Sequence, residues 1–560
     1  MFLIQANVIH RGSRPARLTS ESTATQTRGE GMEGTMAYLP ARWLLIAAAV
    51  LALLASPASA LTTYYVDPDF GGTQTGATSN PWTSLTTSAW ATINGRLASD
   101  NVTVYFSARK ASSDTNQTST VQIDLNKRSD TSTHTLTLDG MSFYNSNVAT
   151  PSWVAYSGSS KFQITTSVPI QRDGTPRCLN NITINGFRLI TTSSQIANLT
   201  YIKNLIFKNN EGSAAVGSAG GPGVYVGPAN DGPGCGGNGP DHVQVLNNNI
   251  HDTYGECLYI GASTADPPGG GGAVNTGDDY LIQGNTLTNC GIRGGQGDGI
   301  DVKDGHTNLR IINNTLRWPN IGQYGCDCSA IILESGDLVD GNYIEAPQKN
   351  GIYSGAGWDN TVGRNALIIR NNVVVNITAG PGHRNGIELE GASSATYQWS
   401  NTRVYNNSIY KTVDACVEIG APQGPVTVTN NIFQECGGNG VSNAAAAILT
   451  THDYNQYFNI AGSALANAGV STSCANIATV EPRSMCGDPK FVSTSPPYAA
   501  TNFKLQATSP VLARGAVIGS FTTDYYGNLR GLSWDKGAIQ LTGVGSVGIP
   551  PGPPSNLVVQ

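Results

Sequence analysis

The sequence predicts an all-β fold, a single-stranded right-handed parallel β-helix in which the chain winds as a solenoid. Three observations lead to this fold class: a repeated strand-and-turn unit with Asn at a fixed place, short β-branched segments without helical periodicity, and a composition poor in charge. Charged residues make up 12% of the chain, about half the usual share, and 66 Gly are spread along it. Such a composition favours many short strands joined by tight turns.

The first sixty residues are predicted to be leader sequence and to take no part in the fold. Arg42 precedes an apolar run over 43–55, and small residues ending at Ala60 follow it. This pattern predicts a signal peptide over 36–60 with cleavage after Ala60, and a dispensable leader or misassigned start over 1–35. No later stretch offers about 18 consecutive apolar residues, so the sequence predicts no membrane span in the mature chain. We expect a secreted protein, extracellular or periplasmic.

The decisive feature is an internal repeat of apolar strands, each followed by a turn Asn. The aligned Asn residues lie 24 to 37 positions apart, which corresponds to one coil of variable loop length per repeat. Stacked Asn side chains can hydrogen-bond along the coil axis, which gives a reason for Asn at the same bend. A helical solenoid is disfavoured because these segments alternate with period two. The aligned residues are Asn248, Asn285, Asn314, Asn342, Asn372, Asn407 and Asn431.

The repeat divides the mature chain into segments. Residues 61–241 are expected to form an N-terminal cap and early coils, 242–443 the regular coils with the candidate site, and 444–545 the C-terminal coils and cap. Residues 546–560 are predicted to be a Pro-rich linker and the start of a truncated module. The early coils are predicted from less regular strands at Val121–Leu125, His134–Leu138, Asn181–Leu189 and Tyr201–Asn210.

Cysteine content and net charge narrow the class further. Ten Cys in an exported chain permit disulfides, and Cys474 with Cys486 encloses a short loop that we expect to be bridged. Cys326-Asp327-Cys328 lacks the companion Cys or His spacing of a zinc site, so a disulfide or buried free thiols are favoured there. A net charge of −6 excludes a strongly basic nucleic-acid surface. The sequence does not define an oligomeric state.

Motifs at both ends of the mature chain carry a family resemblance. Tyr64-Tyr65-Val66-Asp67-Pro68, Asn80-Pro81-Trp82 and Trp90-Ala91-Thr92-Ile93 open it, and Asp488-Pro489-Lys490-Phe491-Val492 and Gly537-Ala538-Ile539 lie near its end. With the coils between them, these motifs resemble the secreted pectate-lyase-like β-helix superfamily. The resemblance implies an extracellular polysaccharide as the ligand. It does not indicate which one.

A second strand in each coil predicts two outward columns of side chains. Residues two positions apart share a face, and neighbouring coils stack about 4.8 Å apart. One column holds Tyr259, Asp301, Ile332, Tyr353, Glu388 and Glu418, and the next holds Gly261, Lys303, Glu334, Gly355, Glu390 and Gly420. The candidate catalytic residues are Lys303, Asp301, Glu334, Glu388, Glu390, His383 and Arg384. Aromatic rings that could stack on sugars are Tyr259, Tyr353 and Trp358.

The leading functional hypothesis is a polysaccharide lyase that acts on a uronic-acid polymer by β-elimination. Such a site must neutralise the uronate carboxylate, remove the adjacent proton and protonate the leaving oxygen. Arg384 or a Ca²⁺ ion held by carboxylates could neutralise, and Lys303 or His383 could be the base; the identity of any metal ligand is left open. The segment from Asp298 to Lys303 resembles the acid-plus-lysine strand of several β-helix lyases. Acidic neighbours are expected to raise the pKa of Lys303.

Two alternatives use the same scaffold. In a glycoside hydrolase, Glu334 and Glu390 would lie about 10 Å apart, near the inverting range, whereas Glu388 and Glu418 on adjacent coils are nearer the retaining range. A noncatalytic carbohydrate-binding or surface-adhesion protein is the third hypothesis, because the fold does not imply an activity. Outward Glu and Lys on neighbouring coils also commonly pair only to keep a sheet soluble.

Overall fold

The structure is a computed structural model, and it describes most of residues 61–541. No helix among these residues is long and apolar enough to cross a membrane. The predicted signal peptide, the leader, the linker after residue 545 and Trp358 lie outside the described residues. Those residues are 61–541 except for 68–69, 108–122, 129–132, 144–153, 159–163, 166–177, 192–194, 201, 215–220, 228–240, 262–276, 293–295, 304–305, 320–325, 327, 335, 356–365, 379, 381, 391–398, 422–423 and 447.

Three β-sheets run through the described residues, and successive strands visit them in turn. The first sheet has 13 strands within these residues. They are Leu61–Val66, Asn101–Ser107, Leu136–Phe143, Leu179–Asn185, Ile202–Lys208, Val243–Leu246, Tyr280–Gln283, Arg310–Ile312, Leu338–Asp340, Leu367–Arg370, Thr402–Tyr405, Val426–Thr429 and Leu449–Asp453.

The second sheet has 12 strands among the residues that the structure describes. They are Val154–Gly158, Phe187–Thr191, Glu211–Ala214, Asn249–Thr253, Thr286–Thr288, Thr315–Arg317, Tyr343–Glu345, Val373–Ile377, Ser408–Thr412, Ile432–Cys436, Gln456–Phe458 and Met485–Cys486.

The third sheet has 13 strands in the described part of the chain. They are Ile123–Asp124, Ile164–Thr165, Ala197–Leu199, Val224–Val226, Leu258–Ile260, Ile300–Val302, Ile331–Leu333, Ile352–Ser354, Ile387–Leu389, Val417–Ile419, Val441–Asn443, Leu465–Asn467 and Val470–Thr472. Neighbouring strands pair in parallel throughout the three sheets, except for the last hairpin, Leu465–Asn467 with Val470–Thr472, which is antiparallel. The predicted right-handed parallel β-helix is therefore confirmed.

The Asn ladder follows the bend between the first and second sheets. Each side-chain Nδ2 donates to the Oδ1 of the Asn in the next coil at 2.9 to 3.2 Å, and the backbone N–H donates to the same oxygen. All seven predicted Asn residues take part, which confirms the expectation. The ladder continues to Asn210 at one end and Asn455 at the other, which the sequence alignment missed.

The residue before each ladder Asn explains the recurring Asn-Asn and Gly-Asn pairs. It adopts a left-handed backbone, as in Asn371 (φ 54°), Asn406 (φ 50°) and Gly284 (φ 69°). Only Gly and, less readily, Asn or Asp enter this region at low cost. The first residue of each pair therefore forms the bend, and the second, the ladder Asn, hydrogen-bonds to the ladder Asn of the neighbouring coil.

One early strand prediction needs correction. The segment 181–189 is not a single strand, because Leu179–Asn185 belongs to the first sheet and Phe187–Thr191 to the second. Gly186 separates them with a φ of 75°, which turns the chain sharply. The apolar pattern continues across the turn because both strands send side chains into one core, and so no break is visible in the sequence.

Separate elements cover the described ends of the solenoid. The α-helix Thr87–Leu97 buries Trp90, Ile93 and Leu97, and the Thr86 side chain caps it by accepting from the Ala89 N–H at 3.2 Å. Short 3₁₀ helices occur at Leu125–Lys127, Cys474–Thr479 and Ala500–Phe503.

The C-terminal tail, residues 488–541, folds back over the outer face of the second sheet. Phe491, Phe503 and Val511 from the tail pack on Val373 and Tyr410 from that sheet. Arg530 is buried in the tail and donates to the Asn371 side chain at 2.8 Å. The tail thus lies along several coils instead of only closing the last one.

Four disulfides lie within the described residues. Cys474 pairs with Cys486, as the short loop predicted. Cys326 pairs with Cys328, which agrees with the disulfide interpretation of that motif. The other two join Cys257 to Cys290 and Cys416 to Cys436. These four pairs suit an oxidising compartment.

Candidate functional site

The predicted outward columns exist on the third sheet, with the register expected from the sequence. Tyr259 pairs with Asp301, and Asp301 with Ile332. Tyr353 pairs with Glu388, and Glu388 with Glu418. The second column, which includes Lys303, Glu334 and Glu390, follows the same register. The backbone N–H of each of these residues donates to a carbonyl on the strand of the preceding coil. We call these two columns the charged strip.

Lys303 is the centre of the first cluster on the strip. Its Nζ lies 2.9 Å from an Asp301 carboxylate oxygen and 3.2 Å from one of Glu334. The ammonium also sits over the Tyr259 ring, 5.1 Å from the centroid. Burial acts to lower the pKa of Lys303, but the charges of Asp301 and Glu334 outweigh it and raise the pKa. The predicted direction of this shift is thus confirmed.

Two further acids join Lys303 and Asp301, and sequence reasoning missed both as site residues. Glu256 and Asp298 each precede a third-sheet strand, and one oxygen from each of Glu256, Asp298 and Asp301 lies within 4.8 Å of the others. The Ser329 N–H donates to Asp298 at 2.8 Å. Both acids stand two residues before an inward-facing residue, Leu258 or Ile300, and this shared position could have identified them. In a regular strand, however, residues two apart share a face, so this position predicts that the acids point into the core. The strands begin only at Leu258 and Ile300, so this prediction fails there.

The buried carboxylates fit an oxygen-ligated divalent cation. Glu256, Asp298 and Asp301 are 4%, 1% and 0% exposed, so water does little to offset their charge. Asp301 Oδ1 is buried and accepts no hydrogen bond from any described residue. Burial raises the pKa of Asp301 to about 6, against the opposing effect of Lys303, and also raises the pKa of Glu256. Three carboxylates at this spacing are the donor set that Ca²⁺ prefers.

A second cluster forms around His383 and Glu388, three coils further along the strip. His383 Nδ1 lies 2.8 Å from one oxygen of Glu388, and Asn385 Nδ2 donates to the other at 3.1 Å. The hydrogen bond and charge of Glu388 raise the pKa of His383. Arg384 lies with Asp414, at 3.8 Å, and its backbone N–H donates to the same carboxylate at 2.8 Å. The structure therefore does not bring His383 or Arg384 to Lys303.

Tyr353 lies in the coil before Glu388, and Glu390 lies two residues after Glu388 in the same coil. The Tyr353 hydroxyl bonds to the Glu390 carboxylate. Burial and then Glu390 raise the pKa of Tyr353. Tyr225, which the sequence analysis did not select, continues the aromatic end of the strip, because its ring lies 5.4 Å from that of Tyr259. The strip thus runs from aromatic residues through the lysine cluster to the histidine cluster.

Comparisons with known proteins gave similarities in structure alone. No protein-family model matches the chain, and no curated protein matches it. The solved structure described as pectate lyase Pel9A is 13% identical, with a TM-score of 0.42, covering 87% of this chain and 98% of that one. PfbA, a surface adhesin of Streptococcus pneumoniae, is 15% identical, with a TM-score of 0.28, covering 64% of this chain and 88% of that one.

Proposed function

We propose that the chain is a secreted polysaccharide lyase that cleaves a uronic-acid-containing polymer by β-elimination at the lysine cluster. One observation carries the proposal: three buried carboxylates, Glu256, Asp298 and Asp301, gather beside Lys303 on an outward strip. A structural ion pair needs one acid for one lysine. The excess of buried negative charge here calls for a further cation.

Each chemical requirement of β-elimination has a candidate group in this cluster. Glu256, Asp298 and Asp301 would hold Ca²⁺, which when bound supplies charge neutralisation for a uronate carboxylate and offsets the acids around Lys303. The neutral amine form of Lys303, favoured once a bound cation offsets the acids, takes the proton beside that carboxylate, and the bond to the leaving sugar oxygen breaks as the double bond forms. Tyr259 is our candidate for the acid that protonates this oxygen, because burial raises its pKa and keeps the hydroxyl protonated.

Secretion belongs to the proposal and has its own support. The four disulfides among the described residues suit an exported protein, and the leader predicts export. Aromatic residues at the N-terminal end of the strip, Tyr225 and Tyr259, offer faces for sugar rings.

A substrate panel with two readouts tests the activity. The chain that begins at residue 61 is incubated with uronate polymers, with Ca²⁺ or with EDTA, and both ultraviolet absorbance of unsaturated ends and reducing ends are followed. A lyase produces the two in equal numbers, and EDTA abolishes both. Reducing ends without unsaturated ends would reject β-elimination, and no product from any polymer would favour the noncatalytic carbohydrate-binding hypothesis.

A further inference from the structure

A second pair of carboxylates lies on the charged strip, away from the lysine cluster. Glu388 on Ile387–Leu389 and Glu418 on Val417–Ile419 are direct partners in the parallel register. Both point outward, because Ile387, Leu389, Val417 and Ile419 on either side of them are core residues. Direct partners on neighbouring strands are about 5 Å apart at the backbone. The two carboxyl groups therefore face the same space outside the sheet.

The surroundings hold Glu388 in a fixed orientation. It is 5% exposed, and both of its oxygens are engaged, one by His383 and the other by the Asn385 amide. The His383 side chain is 69% exposed, so the His383–Glu388 pair lies at the open edge of the charged strip. Two hydrogen bonds to one buried carboxylate restrict its rotation.

Glu418 has a different environment. It is half-buried, and burial followed by the charge of Glu388 raises its pKa, while His383 acts to lower it. The other groups facing it are Ser442, which hydrogen-bonds to it, and Asp414, whose charge also acts to raise its pKa. Burial and the neighbouring charge of Glu388 therefore favour the protonated form of Glu418. Two neighbouring carboxyl groups in unlike environments are the arrangement that separates an acid from a nucleophile.

We propose that Glu388 and Glu418 form a second catalytic centre, which hydrolyses glycosidic bonds with retention of anomeric configuration. Glu388 attacks the anomeric carbon as Glu418 protonates the leaving glycosidic oxygen, which releases one sugar and leaves a glycosyl ester on Glu388. Glu418 then takes a proton from water, the water oxygen attacks the same carbon, and the ester bond to Glu388 breaks. The backbones of the two residues are about 5 Å apart as strand partners, and retaining pairs hold their carboxyl groups about 5–5.5 Å apart. His383 and Asn385 are positioning residues for Glu388.

The two centres cannot act on one bond. Asp301 and Glu388 are three coils apart in the register, about 14 Å at the usual strand spacing. Ile332 and Tyr353 occupy the column positions between them. Among the residues that the structure describes, only Glu256, Asp298 and Asp301 form a carboxylate group suited to a divalent cation, and none of them lies at the hydrolytic centre. Arg384 at this centre is paired with Asp414. We therefore assign it a neutral sugar, in a polymer that also carries uronate.

The test measures hydrolysis while the proposed lyase is silent. The chain that begins at residue 61 is incubated in EDTA with xylan, galactan, mannan, β-glucan and xanthan, and reducing ends are followed together with the anomeric NMR signal of the first product. We expect reducing ends without unsaturated ends, and a retained configuration. Glu388→Gln and Glu418→Gln each lower this rate by at least about 100-fold. Glu435→Gln, the same change on the second sheet, leaves the rate unchanged.

A pH profile separates the positioning role of His383 from a purely structural one. His383→Gln keeps a donor for Glu388 but removes a charge that acts to lower the pKa of Glu418. The alkaline limb of hydrolysis should then move to higher pH, whereas a structural defect would lower the rate at every pH alike. No reducing ends from any of the five polymers, an inverted product, or full activity in either Gln variant would overturn the proposal. Each of these outcomes leaves unsaturated-end formation in Ca²⁺ as an independent result.

Discussion

The second and third sheets belong to the same coils and have the same repeat, yet their outer faces differ in composition and in what covers them. On the second sheet, the outward residues Tyr343, Val373, Val375, Tyr410 and Ile432 are apolar, and the C-terminal tail buries them. On the third sheet, the outward columns include the charged residues Asp301, Lys303, Glu388 and Glu418, and none of these belongs to the cluster that the described tail residues form. The inward residues fix the coil, so the outward residues are free to specify either a covered face or a reactive one.

The largest effect should come from breaking the covered face. Phe503 is 1% exposed, and its ring centroid lies 5.2 Å from that of Phe491 and 5.6 Å from that of Tyr410. Phe503→Ala should lower the free energy of unfolding by about 3–5 kcal/mol, through lost transfer energy and a cavity. Urea unfolding measures this loss. The control is Ile332→Ala on the charged strip, which should lower the free energy of unfolding by about 1 kcal/mol or less. Equal losses in the two variants would remove the distinction between the faces.

Lys303 tests the reactive face. Lys303→Ala should lower the formation of unsaturated ends by at least about 100-fold, the usual worth of a general base. Lys303→Arg is the matched variant, because Arg keeps the charge beside Asp301 and Glu334 but does not give up its proton. Loss in both variants supports proton abstraction. Activity retained in Lys303→Arg would show that only the positive charge matters.

Cation binding should stabilise the reactive face without any substrate. Calorimetry with CaCl₂ should show a higher unfolding temperature for the wild type, equivalent to about 2.7 kcal/mol at a hundredfold excess over the dissociation constant. Asp298→Asn should abolish the increase. Asp453 lies on the first sheet and is paired with Arg483, and the control variant Asp453→Asn should preserve the increase. An increase that persists in Asp298→Asn would place the ion elsewhere.

The smallest effect is expected at His251, which lies on the second-sheet strand Asn249–Thr253. The hydrogen bonds that the His251 ring makes to the Asp252 and Glu211 carboxylates raise its pKa from 6.5 to about 9, although burial opposes them. Because the folded pKa is raised, the stabilisation is complete below pH 6.5 and disappears as the pH rises through about 9. Unfolding free energies at several pH values should show this loss in the wild type and not in His251→Gln. Identical profiles would mean that the pair is too solvated to matter.

Sequence reasoning located the strip but grouped its residues incompletely. Alternation and the Asn repeat determined the register of Tyr259, Asp301, Glu388 and Glu418, since each coil returns to the same position. It did not separate the lysine cluster from the histidine cluster. That division depends on which side chains reach each other at hydrogen-bond distance, as Glu388 does with His383 and Asn385.

The sequence by itself determined the solenoid, the Asn ladder and the outward columns, because all three follow from local periodicity repeated along the chain. Only the tertiary structure decided that Glu256 and Asp298 turn toward Asp301 at a corner of the coil. It also decided that residues 488–541 return to cover the second sheet. At the corners between strands, side chains do not alternate regularly between the two faces. The packing of the tail depends on contacts between residues more than a hundred positions apart, such as Asn371 and Arg530. These contacts leave no pattern in either segment alone.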